Sequence, residues 1–309
     1  MPWRAAIALV AGCFPSLVYA QKIDDVPRTV VMTAFGPEWT ALVKSVDSPV
    51  EHAINGQVFM TGTIAGKPVV LMKSGVSMVN AAMNTQLVLD RFTVRRIVFS
   101  GIAGGVDPAL SIGDVVVPDD WGQYLEASFA RKAGQRWQPP EAVLPGAPAN
   151  WQFIFPRGTT VTNAASPPAR RFRIAMDPAL LALARKVAPG VTMERCVAPD
   201  KSAPAAAPQC LPRTPRVMIG GTGVSAGIFA DNAAFRRYLQ KAWGARVLDM
   251  ESAAVAQVAY TNMAPAIVFR SLSDLAGGDG DRNMETTFEN LASINSAHVV
   301  LAFVAALPD

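Results

Sequence analysis

The last third of the chain alternates short apolar runs with longer stretches of helical spacing, and this alternation constrains the fold more than any other feature. Three runs typical of strands, 216–220, 246–249 and 266–271, are each followed by a predicted helix, over 232–243, 251–261 and 288–307. Strand and helix in alternation indicate a mainly parallel or mixed sheet with helices on its faces. The sequence therefore predicts an α/β fold, a single three-layer α/β/α domain around a central mixed sheet.

The first two thirds of the chain add further elements of the same kind. Predicted strands lie at 29–35, 57–64, 68–73, 96–100 and 114–118, and predicted helices at 36–46, 78–90 and 178–187. Two segments break the pattern: 134–165 is rich in Pro, Gly and Trp, and 196–215 is rich in Pro and Ala. Because regular elements resume on either side, both are predicted to be surface insertions within one domain.

The N-terminus has the composition of an export signal. One arginine precedes a short apolar stretch that ends in small residues at Val18 and Ala20, which predicts a signal peptide over 1–20, a mature domain over 21–309 and a periplasmic or secreted protein. An alternative is a lipoprotein signal with Cys13 as the acylated residue. No later apolar run approaches the roughly 20 residues that a bilayer span needs, so no membrane span is predicted.

Composition argues against several classes of function. Charged residues make up 17% of the 309 residues, and the formal net charge of +4 is spread along the chain, which disfavours a nucleic-acid-binding protein. Only two histidines occur, His52 and His298, and His298 lies inside a predicted apolar helix, which argues against a histidine-based triad or a metal cluster. Neither a metal nor a cofactor is predicted.

Two cysteines remain in the predicted mature chain, Cys196 and Cys210. In an exported protein an even pair across a loop indicates a disulfide, and closing a loop of this length would stabilise the fold by about 3 kcal/mol in the chain-entropy account. The alternative is a pair of free thiols.

Three carboxylates follow predicted strands: Glu38, Glu251 and Asp274. Each stands where a strand gives way to a helix or a glycine-containing loop, and open α/β folds build their ligand crevices at the carboxyl ends of strands. Any one of them could instead be an acid that favours a helix N-terminus. Three at separate strand ends indicate a site, and they are the candidate catalytic groups.

Six motifs stand in the order seen in the nucleoside phosphorylase superfamily, and the chain most resembles its 5′-methylthioadenosine/S-adenosylhomocysteine nucleosidases. The motifs are Ala34-Phe-Gly-Pro-Glu38, Lys73-Ser-Gly-Val76, Ser100-Gly-Ile-Ala-Gly-Gly105, Gly113-Asp-Val-Val-Val117, Val247-Leu-Asp-Met-Glu-Ser-Ala-Ala254 and Val268-Phe-Arg-Ser-Leu-Ser-Asp274. The resemblance implies the phosphorylase/hydrolase-like fold, an enzyme that cleaves purine nucleosides, and a homodimer.

The resemblance also implies roles at the reacting atoms. Asp274 would protonate the purine at N7, with Ser273 orienting it. Glu251 and the backbone of Met250 would hold the ribose hydroxyls. Glu38 would position and deprotonate a water, helped by Arg270. A protonated acid near neutral pH requires a raised pKa in a desolvated pocket.

Five further positions would surround the substrate by the same resemblance. Phe229 would stack on the base, and backbone near Ala230 would select it. Phe35 would line the pocket for the 5′ substituent. Gly101 and Ile102 belong to a glycine cluster through which backbone can approach a ligand closely, and Ile102 stands where these nucleosidases commonly have a serine.

The sequence favours hydrolysis over phosphorolysis. Phosphorylases of this superfamily place arginines in the first strand-to-helix turn and before the glycine cluster, whereas here those positions read Phe35-Gly-Pro-Glu38 and Val98-Phe-Ser100. The prediction is an exported purine-nucleoside N-ribosyl hydrolase for adenosine-type nucleosides, including those with a 5′-thio substituent. A phosphorylase and a non-catalytic nucleoside-binding or storage-type protein stay open as alternatives.

Overall fold

The computed structural model describes residues 21–197 and 209–308. The predicted signal peptide with Cys13 lies outside the described residues, and so does the middle of the 196–215 segment.

Eighteen strands are present among the described residues. They are β1 Arg28–Thr33, β2 Asp47–Ile54, β3 Gln57–Ile64, β4 Lys67–Lys73, β5 Val94–Gly105, β6 Val115–Val117, β7 Asp120–Gln123, β8 Ala127–Phe129, β9 Arg131–Ala133, β10 Arg136–Gln138, β11 Ile154–Pro156, β12 Thr159–Asn163, β13 Ser166–Arg171, β14 Ile174–Ala175, β15 Val217–Ile219, β16 Thr222–Ser225, β17 Ala245–Asp249 and β18 Ala266–Asp274.

Six α-helices accompany the strands in the described part of the chain. They are α1 Gly36–Val43, α2 Met78–Arg91, α3 Pro178–Val187, α4 Ala233–Tyr238, α5 Ser252–Thr261 and α6 Glu285–Ala305, with a 3₁₀ turn over Ala188–Gly190 and a π-helical turn over Leu239–Trp243. The helix predicted over 232–243 is therefore α4 continued by the π turn. The other two helices predicted in the last third are α5 and α6, with ends shifted by a few residues.

A twelve-stranded mixed sheet forms the centre of the domain. Its main path runs β14-β7-β16-β17-β5-β1-β4-β3-β2, and β18 joins it by pairing with β5 and β6. Strand β5 is parallel to both β1 and β18 but antiparallel to β17. The predicted single-domain α/β fold with a mixed sheet is confirmed.

The core lies between the helices and the buried central strands. All nine residues of β18 are buried, as expected for a strand covered on both faces. Helix α6 packs against β18 and β5, and α5 packs against α2. These layers hold the carboxyl ends of β1, β5 and β18 close together. The candidate carboxylates were expected at this edge of the sheet.

The structure corrects the prediction for the glycine cluster. The strand expected to end at Ser100 continues as β5 to Gly105 and stays paired with β18. Its glycines permit close packing, because a Cβ atom at Gly101 would lie 1.7 Å from Arg270 Nη1 and 2.6 Å from Glu38 Oε1. The glycine therefore makes room for side chains of the protein itself.

Four strands of the sheet were not predicted: β2, β7, β14 and β16. The residues of β2 are mostly exposed, because β2 is an edge strand paired with β3 alone, and such a strand carries little apolar pattern. Strand β16 has only four residues, although all four are buried. The 134–165 segment also contains β10, β11 and β12, which pair as small two-stranded sheets with β9, β8 and β13.

The described ends of the 196–215 segment are linked by a disulfide. Cys196 and Cys210 are bonded with a Cα–Cα distance of 4.0 Å, and the flanking residues Val197 and Leu211 pack against the first turns of α6 at Phe288. The two cysteines thus tie this segment to the helix that follows the candidate site.

An arginine-rich turn after the disulfide binds one buried carboxylate. Arg213 donates to both oxygens of Asp114, at 2.9 and 2.5 Å. The backbone N–H groups of Ser111 and Arg216 donate to the same carboxylate at 3.0 Å each. This arrangement, the Asp114 cluster, anchors the segment to the turn before β6.

One helix among the described residues, α6, is long and apolar enough to cross a membrane by length and composition. In its most apolar 18-residue window, 61% of the residues are buried inside the protein, and α6 packs on the central sheet. That packing is the environment of a core helix.

Candidate active site

A cleft of about 620 Å³, including its open mouth, lies at the carboxyl ends of β1, β5, β17 and β18. It has the size and the mixture of apolar walls and a few polar groups that small-molecule sites have. Its walls are formed by Ala34, Phe35, Glu38, Val76, Ile102, Ala103, Gly104, Ile228, Phe229, Ala230, Leu248, Asp249, Met250, Glu251, Ser273, Asp274 and Glu285. The three carboxylates singled out in the sequence face one cavity.

Asp274 is the last residue of β18 and is nearly fully buried. Its carboxyl accepts hydrogen bonds from the Ser273 hydroxyl at 2.9 Å and from the Ala276 N–H at 2.8 Å. Burial raises the pKa of Asp274, and these hydrogen bonds offset the rise only in part. A carboxyl in this environment retains its proton at higher pH than an exposed aspartate does.

Glu38 lies on the first turn of α1 and is also nearly fully buried. It accepts from the backbone N–H of Ala34 at 2.5 Å and of Ile102 at 2.8 Å. Burial raises the pKa of Glu38, and the charge of Arg270 and these N–H groups lower it less than burial raises it. The residue that follows β1 and a residue within β5 thus hold one carboxylate in place.

Glu251 precedes α5, two residues beyond the end of β17. It accepts a hydrogen bond from the Ser77 backbone N–H at 2.8 Å. Burial, and then the nearby charge of Asp249, raise the pKa of Glu251 to about 7, against the lowering effect of Arg270. Met250 lines the cleft beside it.

Arg270 is fully buried beneath the cleft, in the middle of β18. Its guanidinium lies 2.7 Å from Asp249, 3.5 Å from Glu251 and 3.7 Å from Glu38. The Nη1 atom, the one nearest Glu38, has no hydrogen-bond partner among the described residues. One arginine therefore serves three carboxylates, an arrangement called the Arg270 cluster below, and it keeps an unused donor beside Glu38.

Asp249 was missed in the sequence analysis. It accepts from the Ser225 hydroxyl at 2.5 Å, from the Ser252 hydroxyl and from the Ser252 N–H at 3.1 Å. Ser252 in turn lies 3.0 Å from Arg270 Nε. Asp249 thus holds the guanidinium of Arg270 in place. In the sequence, the only sign of this role is that Asp249 stands at the end of a strand, next to Met250.

The remaining predicted residues divide into two groups. Phe35, Ile102, Phe229 and Ala230 line the cleft, with Phe229 exposed at its mouth. Gly101, like Arg270, lies behind the wall, and its absent side chain leaves the space that the guanidinium occupies. The roles assigned to all these residues stay predictions.

Glu285 was also missed. It is the first residue of α6 and lines the cleft together with Asp274, although the two are separated by a polar, glycine-containing loop. The sequence shows it only as an acid at a helix start. Over residues 21–197 and 209–308, no group of three or more His, Cys, Asp or Glu side chains is arranged to hold a metal ion.

Known proteins resemble this chain over most of its length. The sequence profile of the phosphorylase superfamily matches residues 28–305. The chain is 30% identical over 250 residues to a 5′-methylthioadenosine/S-adenosylhomocysteine nucleosidase of Mycobacterium tuberculosis, covering 81% of this chain and 86% of the relative. It is 28% identical over 280 residues to the nucleosidase of the same name from Halalkalibacterium halodurans, covering 90% and 97%.

Solved structures share the fold. The 5′-methylthioadenosine/S-adenosylhomocysteine nucleosidase of Streptococcus pneumoniae, bound to a transition-state inhibitor, superposes with a TM-score of 0.64 at 22% identity, over 91% of this chain and 100% of the other. The futalosine hydrolase of Helicobacter pylori gives 0.65 at 21% identity, over 91% and 99%.

Proposed function

The chain belongs to the phosphorylase superfamily, and from this membership we propose that it is an exported nucleosidase that hydrolyses the N-glycosidic bond of purine nucleosides. Its substrates are adenosine-type nucleosides, including those with a 5′-thio substituent such as methylthioadenosine and S-adenosylhomocysteine. The relatives named above support hydrolysis of this bond. The observation that carries the assignment is the set of three buried carboxylates, Glu38, Glu251 and Asp274, facing one cleft.

Asp274 acts on the base. As the C1′–N9 bond breaks, its electron pair moves into the purine, and the carboxyl of Asp274 donates its proton to N7, so that the base leaves as a neutral molecule. The raised pKa of Asp274 keeps that proton available. Ser273, hydrogen-bonded at 2.9 Å, orients the carboxyl. Phe229 stacks on the base, and backbone near Ala230 contacts its edge.

Glu251 and Glu38 act on the sugar and the water. The ribose ring becomes oxocarbenium-like, and carboxylates beside it stabilise the developing positive charge. Glu251 and the backbone of Met250 bind the ribose hydroxyls. A water held by Glu38 and the unused Nη1 donor of Arg270 attacks C1′, and its proton passes to Glu38. The products are the free base and the free sugar.

The charge of the cleft favours water over phosphate as the nucleophile. Among the described residues that line it, none is Lys or Arg, and the guanidinium of Arg270 behind its wall already faces three carboxylates. A phosphate dianion brought here would meet uncompensated negative charge, which is strongly unfavourable at low dielectric. A neutral water would not.

The experiment is base release in phosphate-free buffer. Purified protein is incubated with methylthioadenosine, adenosine and inosine, and free base is measured by chromatography. Hydrolysis predicts release from an adenosine-type nucleoside without phosphate. Release only after phosphate is added would establish the phosphorylase alternative, and binding without any release would establish the non-catalytic one.

Export is part of the proposal. Residues 1–20 carry the charge and apolar pattern of a cleaved signal. When the full chain is expressed in a bacterium with a periplasm, we expect the mature protein to begin at Gln21. Cys13→Ser should leave this processing intact. A mature chain that starts at a lipid-modified Cys13 would establish the lipoprotein alternative.

A homodimer is the assembly we propose. Helix α2 exposes Val79 and Met83, whose exposed fractions are 79% and 55%, next to Val76, which lines the cleft. A second copy that packs on this face would cover apolar surface and border the substrate site. Val79→Asp should shift the sedimenting species to monomer, whereas Val143→Asp, at an exposed valine in the 134–165 segment, should not. A monomeric wild type would contradict the proposal.

A further inference from the structure

Glu285 has no role in the proposed reaction, yet it faces the same cleft. It is the first residue of α6 and is only partly buried, whereas Asp274 and Glu251 are deeply buried. It therefore borders the outer part of the cavity, where the exposed side chain of Phe229 also lies. A substrate that fills the cleft will pass it.

The carboxylate of Glu285 is unpaired. Among the described residues, none donates a hydrogen bond to it or forms an ion pair with it, while its own backbone N–H is occupied by Asn283 at 2.9 Å. Burial raises the pKa of Glu285, and the neighbouring Asp274 and Glu289 raise it further. Its charged neighbours are thus acids.

A favourable helix N-terminus alone does not account for this placement. The helix dipole stabilises any acid in the first turn, whichever way the side chain points. Glu285 instead adds a fifth carboxylate to a cleft wall that already has Glu38, Asp249, Glu251 and Asp274, and no lysine or arginine is among the described residues of that wall. Arg270, behind that wall, is engaged by three of the other carboxylates. An uncompensated carboxylate at a cavity wall attracts cationic or N–H-donating groups.

We propose that Glu285 is a specificity-determining residue that selects nucleosides carrying an amino group, by accepting a hydrogen bond or forming an ion pair with that group. The inference rests on the proposed nucleosidase function and deepens it. Two parts of a nucleoside can supply the amine: an exocyclic amino group of the base, or an ammonium on the 5′ substituent. The shared chemistry is an N–H donor that meets a lone carboxylate.

The test is Glu285→Gln, which keeps the shape of the side chain and removes its charge, with Glu289→Gln as the matched control. Glu289 lies one turn further along α6 and is not part of the cleft wall. The value of kcat/KM is measured for two substrate pairs. S-adenosylhomocysteine against methylthioadenosine reports on a 5′ ammonium, and adenosine against inosine reports on the base amine.

Removing the charge should lower kcat/KM for the amine-bearing member of one pair about tenfold relative to its partner, since a hydrogen bond to a charged group is lost. A change in the ratio for S-adenosylhomocysteine and methylthioadenosine would identify the 5′ ammonium as the group that Glu285 contacts. A change in the ratio for adenosine and inosine would identify the amino group of the base. Equal changes within both pairs, or the same change in Glu289→Gln, would overturn the proposal.

Failure of the proposed function is separable. If wild type releases no base from any substrate, the nucleosidase assignment fails, but selectivity can still be measured. Dissociation constants of the same two pairs, determined by calorimetry with and without Glu285→Gln, would show a ratio change of similar size if Glu285 selects amines. Unchanged binding ratios would contradict it.

Discussion

Two clusters of arginine and carboxylate lie within this fold, and they balance charge in opposite ways. In the Asp114 cluster, one fully buried carboxylate is bound by Arg213 and approached to 4.0 Å by Arg216, both partly exposed to solvent. In the Arg270 cluster, one fully buried guanidinium serves Asp249, Glu251 and Glu38. The first has positive charge in excess, and the second has negative charge in excess.

From this difference we infer that the Asp114 cluster is structural and that the Arg270 cluster belongs to the reactive site. Both oxygens of Asp114 accept side-chain and backbone hydrogen bonds, which is how a buried charge contributes to stability. The Arg270 cluster leaves one donor unused and lies beside carboxyls whose pKa values are raised. Groups held with unsatisfied capacity and shifted pKa are typical of sites that bind and react.

The largest expected effect is a loss of turnover when a carboxyl of the cleft is replaced. Asp274→Asn cannot supply the proton for the purine, so kcat should fall by about 10² to 10⁴-fold, measured as base release. The amide keeps the shape of the side chain, so calorimetry should still detect nucleoside binding. Turnover within threefold of wild type would show that Asp274 is not the general acid.

The converse change, in the Asp114 cluster, should affect stability and leave chemistry intact. Asp114→Ala removes the acceptor for Arg213 and for two backbone N–H groups. We expect the free energy of unfolding to fall by about 3 kcal/mol, measured by denaturant titration. The kcat of the folded protein should remain at the wild-type value, and a large loss of kcat would erase the distinction between the clusters.

The disulfide near the Asp114 cluster should also contribute to stability. Replacing Cys196 and Cys210 by serine frees the segment that carries Arg213, and the unfolding free energy should fall by about 2 to 3 kcal/mol. Wild type treated with a reductant should lose the same amount. No change on reduction would mean that the pair contributes nothing in solution.

A smaller effect is expected in the pH dependence of stability. Glu251 has a pKa raised to about 7 in the folded protein, so between the ordinary glutamate pKa of 4.5 and about 7 the folded state binds more protons than the unfolded state. Its contribution is present below pH 4.5 and is lost as the pH rises through 7, at up to about 1.4 kcal/mol per pH unit. Glu251→Gln should flatten the slope of unfolding free energy against pH in this range. An unchanged slope would mean that a group other than Glu251 takes up the proton.

Much of the fold could be predicted because its elements have local signatures. The β17–α5–β18–α6 succession was predicted because buried strands are continuous apolar runs and the helices between them keep their spacing. Strand β2 was missed because an exposed edge has no such pattern. The continuation of β5 through Gly105 was missed because glycine is a weak strand former. At Gly101 the reason for a glycine is seen only in the structure, where a side chain would collide with the guanidinium of Arg270.

The sequence by itself determined the fold class and the three candidate acids, because apolar periodicity and strand-end position are local properties of a chain. The tertiary structure decided how those acids are used. It joined Asp249, Ser252 and Ser225 beneath Arg270, left the Nη1 donor unused beside Glu38, and brought Glu285 to the cleft wall. These relations depend on distances between strands and helices far apart in the sequence, and burial, which shifts the pKa values, exists only once the layers have packed.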